Sequence, residues 1–208
     1  MYDAGTRIQD FLSATAAKQP TPGGGSITAL VGALAAATGE MVVNYSIGKK
    51  GLESHQDELK SIVAELSKAR QMLQQLMVED QLAYEAYTAA RKLPPDSPER
   101  KDKLPAAIVA SIRVPQTIAA TAVGILELCD RMVGFVNFYL LSDLAVAADL
   151  AMATVRCAIY SVRSNLKILE DPADRRSVEA TIGQLLMRSV QLIQRVAPRV
   201  WDRDGQGV

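Results

Sequence analysis

The sequence predicts an all-α, multihelical bundle, and three observations carry that expectation. Apolar residues recur at steps of three and four over long segments, and no segment shows the strict alternation of a strand. The chain is 49% hydrophobic but only 5% aromatic, so Ala, Leu, Val and Ile must make the core. Such a composition suits helices packed closely through small side chains. Clusters of Gly and Pro punctuate the apolar segments where helices would end. With 208 residues the chain is long enough for one domain with a sizeable core.

The elements follow in order. Thr6 to Ala16 predicts a short amphipathic helix, with Ile8, Phe11 and Leu12 at helical spacing. Pro20-Thr21-Pro22-Gly23-Gly24-Gly25-Ser26 then reads as a glycine-rich loop, because proline lacks an amide donor and glycine carries the largest backbone entropy cost. The run from Ile27 to Ile47 is apolar on nearly every side and reads as a buried central helix. Its length approaches a membrane span, but Glu40 and Asn44 lie within it and alanine dominates, so no membrane partner is expected. Gly48 is the expected C-cap, with Lys49 and Lys50 complementing the helix dipole. His55, the only histidine, falls in a polar connection.

Ser54 to Lys92 predicts a long helix whose seam reads Leu59, Ile62, Leu66, Ala69, Leu73, Leu76, Asp80, Ala83, Tyr87. Leu93 to Pro98 breaks it. The next helical stretch, Glu99 to Ile112, is expected to be interrupted at Pro105 and to end before Pro115, where a new helix runs to Met132. Gly134 to Leu141 forms a connection. Ser142-Asp143 then precedes a small-residue helix, Leu144 to Leu169, and a last helix covers Asp174 to Ala197. Asp202 to Val208 is expected to fray. Three helices apolar on most faces exceed what a small monomer covers, which predicts a homodimer.

Composition excludes several classes. Lys and Arg number 23 against 23 Asp and Glu, and no basic block stands out, so nucleic acid is not an expected partner. Cys129 and Cys157 lie in apolar stretches without ligand spacing, which predicts reduced core thiols in a cytoplasmic protein rather than a disulfide or zinc site. No secretion signal is expected at the N-terminus. A single histidine argues against a serine triad or a His-ligated metal, and no metal or cofactor is expected.

A few residues could carry chemistry. Asp80 is the sole acid on its apolar seam; desolvation raises a carboxyl's pKa, as a general acid/base requires. The alternative is a buried Asp bonded to a neighbouring helix end or cation. Gly23, Gly24, Gly25 and Ser26 precede a helix N-terminus, which can hold an anion or simply permit close packing. No Gly-Lys-Ser/Thr follows, so the loop is not a P-loop, and no strand precedes it as a dinucleotide fingerprint needs. Ser142 and Asp143 suit an N-cap. Asn137, Lys49 and Lys50 carry little on their own.

Taken together, Pro22-Gly23-Gly24-Gly25-Ser26, Gly48-Lys49-Lys50, Glu79-Asp80-x-x-Ala83-Tyr84, Lys92-Leu93-Pro94, Val114-Pro115, Asn137, Ser142-Asp143-x-x-Val146-Ala147-Ala148 and Asn165-Leu166 resemble the cyclodeaminase/cyclohydrolase family. That family comprises the C-terminal domain of formiminotransferase-cyclodeaminase and stand-alone methenyltetrahydrofolate cyclohydrolases. The resemblance implies an all-helical, intertwined homodimer acting on a one-carbon tetrahydrofolate without a metal. By position it makes Asp80 the catalytic acid/base and Gly23, Gly24, Gly25 and Ser26 the loop at the folate site. It adds Ser142 and Asp143 as a Ser-Asp pair, with Asn137, Lys49 and Lys50 as further substrate contacts. The expected activity is hydrolysis of 5,10-methenyltetrahydrofolate to 10-formyltetrahydrofolate, since no transferase domain accompanies these residues. Ammonia-releasing cyclodeamination is the alternative. A non-catalytic folate binder or assembly subunit is a third reading, because the segment between Pro98 and Pro115 is about one helical turn shorter than is usual in that family.

Overall fold

The computed structural model describes residues 1–204 and contains six α-helices: α1 (Ile8–Ala16), α2 (Gly24–Asn44), α3 (Gln56–Lys92), α4 (Pro98–Met132), α5 (Leu141–Leu166) and α6 (Pro172–Asp204). Two 3-10 turns, Glu53–His55 and Phe138–Leu140, lead into α3 and α5. Among the described residues there is no strand. Gly205 to Val208 of the expected tail lie outside the described residues, whereas Asp202 and Arg203 continue α6 instead of fraying.

The centre is α2, packed between α3 and α5, with α4 closing the group and α6 lying across α4 and α5. Small side chains make this approach possible. Ala29, Ala33, Ala36 and Gly32 are all buried on α2. A methyl added at Gly32 would come within 3.0 Å of Thr154 Cγ2 and 3.1 Å of Leu73 Cδ1. Leu73, Ile62 and Leu66 from α3 and Ile118, Ile125 and Leu126 from α4 fill the core around it. Leu73→Ala should therefore lower unfolding free energy by roughly 2–5 kcal/mol, read from a urea melt, because this packed site has little room to collapse. By length and composition α2, α4 and Phe138–Leu166 could each cross a membrane; here their apolar faces pack against one another.

Several expectations need correction. The glycines do not form a loop ahead of α2: Gly23 is its N-cap, and Gly24 and Gly25 lie within its first turn. The helix ends at Asn44, and Gly48 adopts a left-handed φ of +74° three residues past the cap at Tyr45. The Thr21–Pro22 peptide bond is cis. On α1 only Phe11 is buried, while Ile8 and Leu12 are 79% and 61% exposed, so its apolar face is not inward. Cys129 is buried, and burial pushes its thiol up to about 12, but Cys157 is exposed and is no core thiol.

Residues 98–132 form one helix, not two. Both Pro105 and Pro115 sit inside α4. A mid-helix proline leaves the carbonyl four residues earlier without its amide partner. For Pro115 that carbonyl belongs to Ser111, and Asn165 Nδ2 on α5 donates to it at 2.7 Å. A side chain from another helix thus replaces the missing backbone bond.

Ser142 and Asp143 are not the N-cap of α5. The helix starts at Leu141, and both lie in its first turn, where Asp143 complements the positive end of the dipole. Asn137 does the capping one step earlier: its Oδ1 accepts from Tyr139 N at the start of the 3-10 turn. In α6, Pro172 opens the helix and Pro198 is accommodated within it.

Candidate active site

The long seam of α3 delivers Asp80 to the N-terminus of α2. Ser26 Oγ donates to Asp80 Oδ2 at 2.9 Å. The approach is so close that a Cβ added at Gly25 would lie 1.9 Å from Asp80 Oδ1. Glycine at this position is therefore a steric requirement of the carboxylate, not of the backbone. Asp80 is half-buried. Desolvation pushes its pKa up, and the hydroxyl and amide of Ser26, which favour the charged form, oppose that shift. The positive end of α2 acts in the same direction as Ser26. The helix terminus expected to offer amides to a ligand thus faces Asp80.

Asp80 opens into a cavity of about 510 Å³ between the start of α2, the middle of α3 and the facing turns of α4 and α5. Gly23, Gly24 and Gly25 line it, together with Tyr84 and Tyr87 one and two turns along α3. Ser111, Val114 and Pro115 of α4 form one wall, and Tyr160, Ser161, Ser164 and Asn165 of α5 form the other. Asp80 is the one charged side chain among these lining residues. Flat aromatic faces, neutral hydroxyl and amide groups and one half-buried acid suit a heteroaromatic ligand that exchanges a proton.

A tether runs behind the acid. Gln81 is buried, accepts from Tyr2 N at 2.9 Å and donates to Tyr2 O at 2.6 Å. Gln19 Nε2 in turn donates to the Tyr2 hydroxyl at 3.1 Å. The segment before α2 is thereby fixed to the residue beside Asp80.

The remaining sequence candidates gather elsewhere. Lys49 donates through Nζ to Asn137 Oδ1 and lies 4.9 Å from the centre of the Tyr139 ring. Asn137 N donates to Ser46 Oγ at 2.8 Å, and Asn137 Nδ2 donates to Tyr45 O at 3.3 Å. This cluster sits at the C-terminal end of α2, about 30 Å along the helix from Gly25. Lys50 and Ser142 are exposed, Asp143 is partly so, and none of the three lines the cavity. Within one chain these five residues and Asp80 are therefore not brought together. Tyr84, Tyr87, Val114, Pro115 and Asn165 stand in the seam and motifs of the sequence without being marked there as site residues, and Ser111, Tyr160, Ser161 and Ser164 stand in neither. Tyr84 and Tyr87 stand four and seven residues after Asp80, the spacing of one helix face, and that signal was present.

An all-helical bundle with a half-buried aspartate at a glycine-lined cleft defines the class, and comparison with known proteins makes it specific. Residues 7–184 match the family model described as formiminotransferase-cyclodeaminase. A methenyltetrahydrofolate cyclohydrolase of Methylorubrum extorquens is 30% identical over 193 residues, covering 91% of this chain and 93% of that protein. A formimidoyltransferase-cyclodeaminase of Sus scrofa is 30% identical over 186 residues, covering 88% of this chain; the chain spans 34% of that longer relative. The crystal structure of a formiminotetrahydrofolate cyclodeaminase from Thermotoga maritima superposes with a TM-score of 0.88 at 29% identity, over 95% of this chain and 97% of that one. The chain belongs to the formiminotransferase-cyclodeaminase family.

Proposed function

We propose that the protein is a folate enzyme of the one-carbon series, and specifically a methenyltetrahydrofolate cyclohydrolase. One observation carries the reading: a carboxylate whose pKa burial raises is held by Ser26 in a neutral, tyrosine-walled cavity. The likeness to the Methylorubrum extorquens cyclohydrolase over nearly its full length supports it.

The chemistry needs one proton carrier. A water oxygen bonds to the electron-poor carbon bridging N5 and N10 of 5,10-methenyltetrahydrofolate, and Asp80 takes one of its protons. The tetrahedral adduct then opens. The bond from carbon to N5 breaks with its electron pair going to N5, and Asp80 returns its proton there. The remaining hydroxyl proton leaves to solvent as the formyl C=O forms, giving 10-formyltetrahydrofolate. Charge balances, because the cationic substrate becomes neutral as one proton is released. Ser26 keeps one carboxylate oxygen in place while the other meets water and substrate. The pterin would lie against the tyrosine faces.

A second reading is cyclodeamination, supported by the fold-level likeness to the Thermotoga maritima cyclodeaminase. There N10 would attack the formimino carbon on N5, with Asp80 as base for N10 and acid for departing ammonia. Both routes pass through a tetrahedral carbon between the same two nitrogens. Purified protein with 5,10-methenyltetrahydrofolate should accelerate loss of its near-ultraviolet absorbance. Ammonia release from 5-formiminotetrahydrofolate without that acceleration would replace the first reading with the second. Inactivity toward both would remove the enzyme reading.

The reading includes a homodimer. Leu34 and Met41 on α2 and its cap Tyr45, with Ile8 and Leu12 on α1, leave exposed apolar side chains that a second copy would cover.

A further inference from the structure

A reduced folate ends in a glutamate, whose carboxylates project beyond the p-aminobenzoyl ring, yet the cavity lining offers no cation. Lys49 and Lys50 stand at the far end of α2, about 30 Å away. The helix that carries Asp80 supplies another candidate. Asp80, Ala83, Tyr84, Tyr87 and Arg91 follow helical spacing along one face of α3. Arg91 Cζ lies 5.7 Å from the centre of the Tyr87 ring, and Tyr87 is part of the cavity wall. Helical side chains lean toward the N-terminus, so Arg91 leans back along α3 toward the cavity. From Asp80 to Arg91 the helix rises about 16 Å, and the guanidinium's backward reach shortens that span to roughly the extent of a p-aminobenzoylglutamate unit.

Arg91 is also uncommitted. Among the described residues it pairs with no acidic side chain. A basic residue in the last turn of a helix ordinarily serves that helix's carbonyls. Here Arg100 does so instead, donating from Nη1 to Arg91 O at 3.1 Å and to Leu93 O at 2.9 Å. The Arg91 guanidinium is left stacked on an aromatic face, its donors open to a carboxylate.

We propose that Tyr87 and Arg91 form the tail subsite of the cleft, with Tyr87 against the p-aminobenzoyl ring and Arg91 paired with a glutamate carboxylate. The inference rests on the folate reading of the cavity. Calorimetric titration with two stable probes tests it: 5-formyltetrahydrofolate, and 5-formyltetrahydropteroate, which lacks the glutamate. The wild type should prefer the first by about five- to ten-fold at low salt, with the preference shrinking as salt screens the exposed pair. Arg91→Gln should abolish the preference while leaving pteroate affinity unchanged, and Arg91→Lys should restore part of it. Arg91 is exposed, so neither substitution should disturb the fold. A preference that survives Arg91→Gln, or no wild-type preference at all, overturns the subsite and leaves the folate reading standing. Failure of the wild type to bind either probe overturns both.

Discussion

Asp80→Asn should reduce kcat by about 10²- to 10⁴-fold while leaving KM nearly unchanged, the loss expected when a positioned proton carrier is removed. Asparagine keeps the shape of the side chain and an oxygen for Ser26, so the cavity survives and only the transferable proton is gone. Stability should respond in the opposite sense. Burial raises the folded-state pKa of Asp80, so the folded protein holds that proton more tightly than the unfolded chain does. Stability therefore falls as pH rises from the unfolded value through the folded one. Asp80→Asn should melt no lower than wild type at pH 7 by calorimetry. Any gain should vanish below the ordinary aspartate range, where both states of the wild type are protonated. A variant that loses activity because it unfolds would contradict this account.

Gly25→Ala should be nearly as damaging to turnover, although it adds a single methyl group to a residue that takes no part in the chemistry. The new carbon would stand 1.9 Å from Asp80 Oδ1, so the carboxylate must swing away and give up Ser26. A displacement of this size at the reacting group costs about 10²-fold in rate. Gly24→Ala is the matched control. Nothing lies within 4 Å of a Cβ there, so an added methyl group displaces no neighbour. Gly24→Ala should leave the Ser26–Asp80 contact intact, and because Gly24 lines the cavity any effect should fall on KM rather than on kcat. Adjacent glycines in one helical turn should thus give different outcomes, a contrast that propensity alone does not produce.

The spacing of Leu59, Ile62, Leu66, Leu73 and Leu76 was enough to place α3, because a helix that buries one face must repeat at 3.6 residues. The same periodicity put Asp80 on the inward side. What the sequence left unread depends on contacts between distant residues. Pro115 reads as a helix start until Asn165, fifty-four residues later in the chain than Ser111, is seen to supply the missing hydrogen bond. Gly24 and Gly25 read as loop because their entropy cost is local, whereas their benefit lies in the approach of α3. Ser142 and Asp143 read as a cap because nothing local reveals that a 3-10 turn, capped by Asn137, carries the chain straight into α5. On the walls from α4 and α5, Val114, Pro115 and Asn165 belong to the family motifs, but their place in the site, and that of the serines beside them, acquires meaning only when three helices enclose one space.

The ionisation of a single carboxyl group is the most direct test of the central claim. Carbon-detected NMR of protein labelled at the aspartate side-chain carbonyl, with the Asp80 signal assigned by its absence in Asp80→Asn, would follow that group through pH. A midpoint above the ordinary aspartate range, rising further in Ser26→Ala, is the result this account predicts. A midpoint at or below that range would show a stabilised carboxylate serving as a cap for α2, and would contradict a role for Asp80 as the proton carrier.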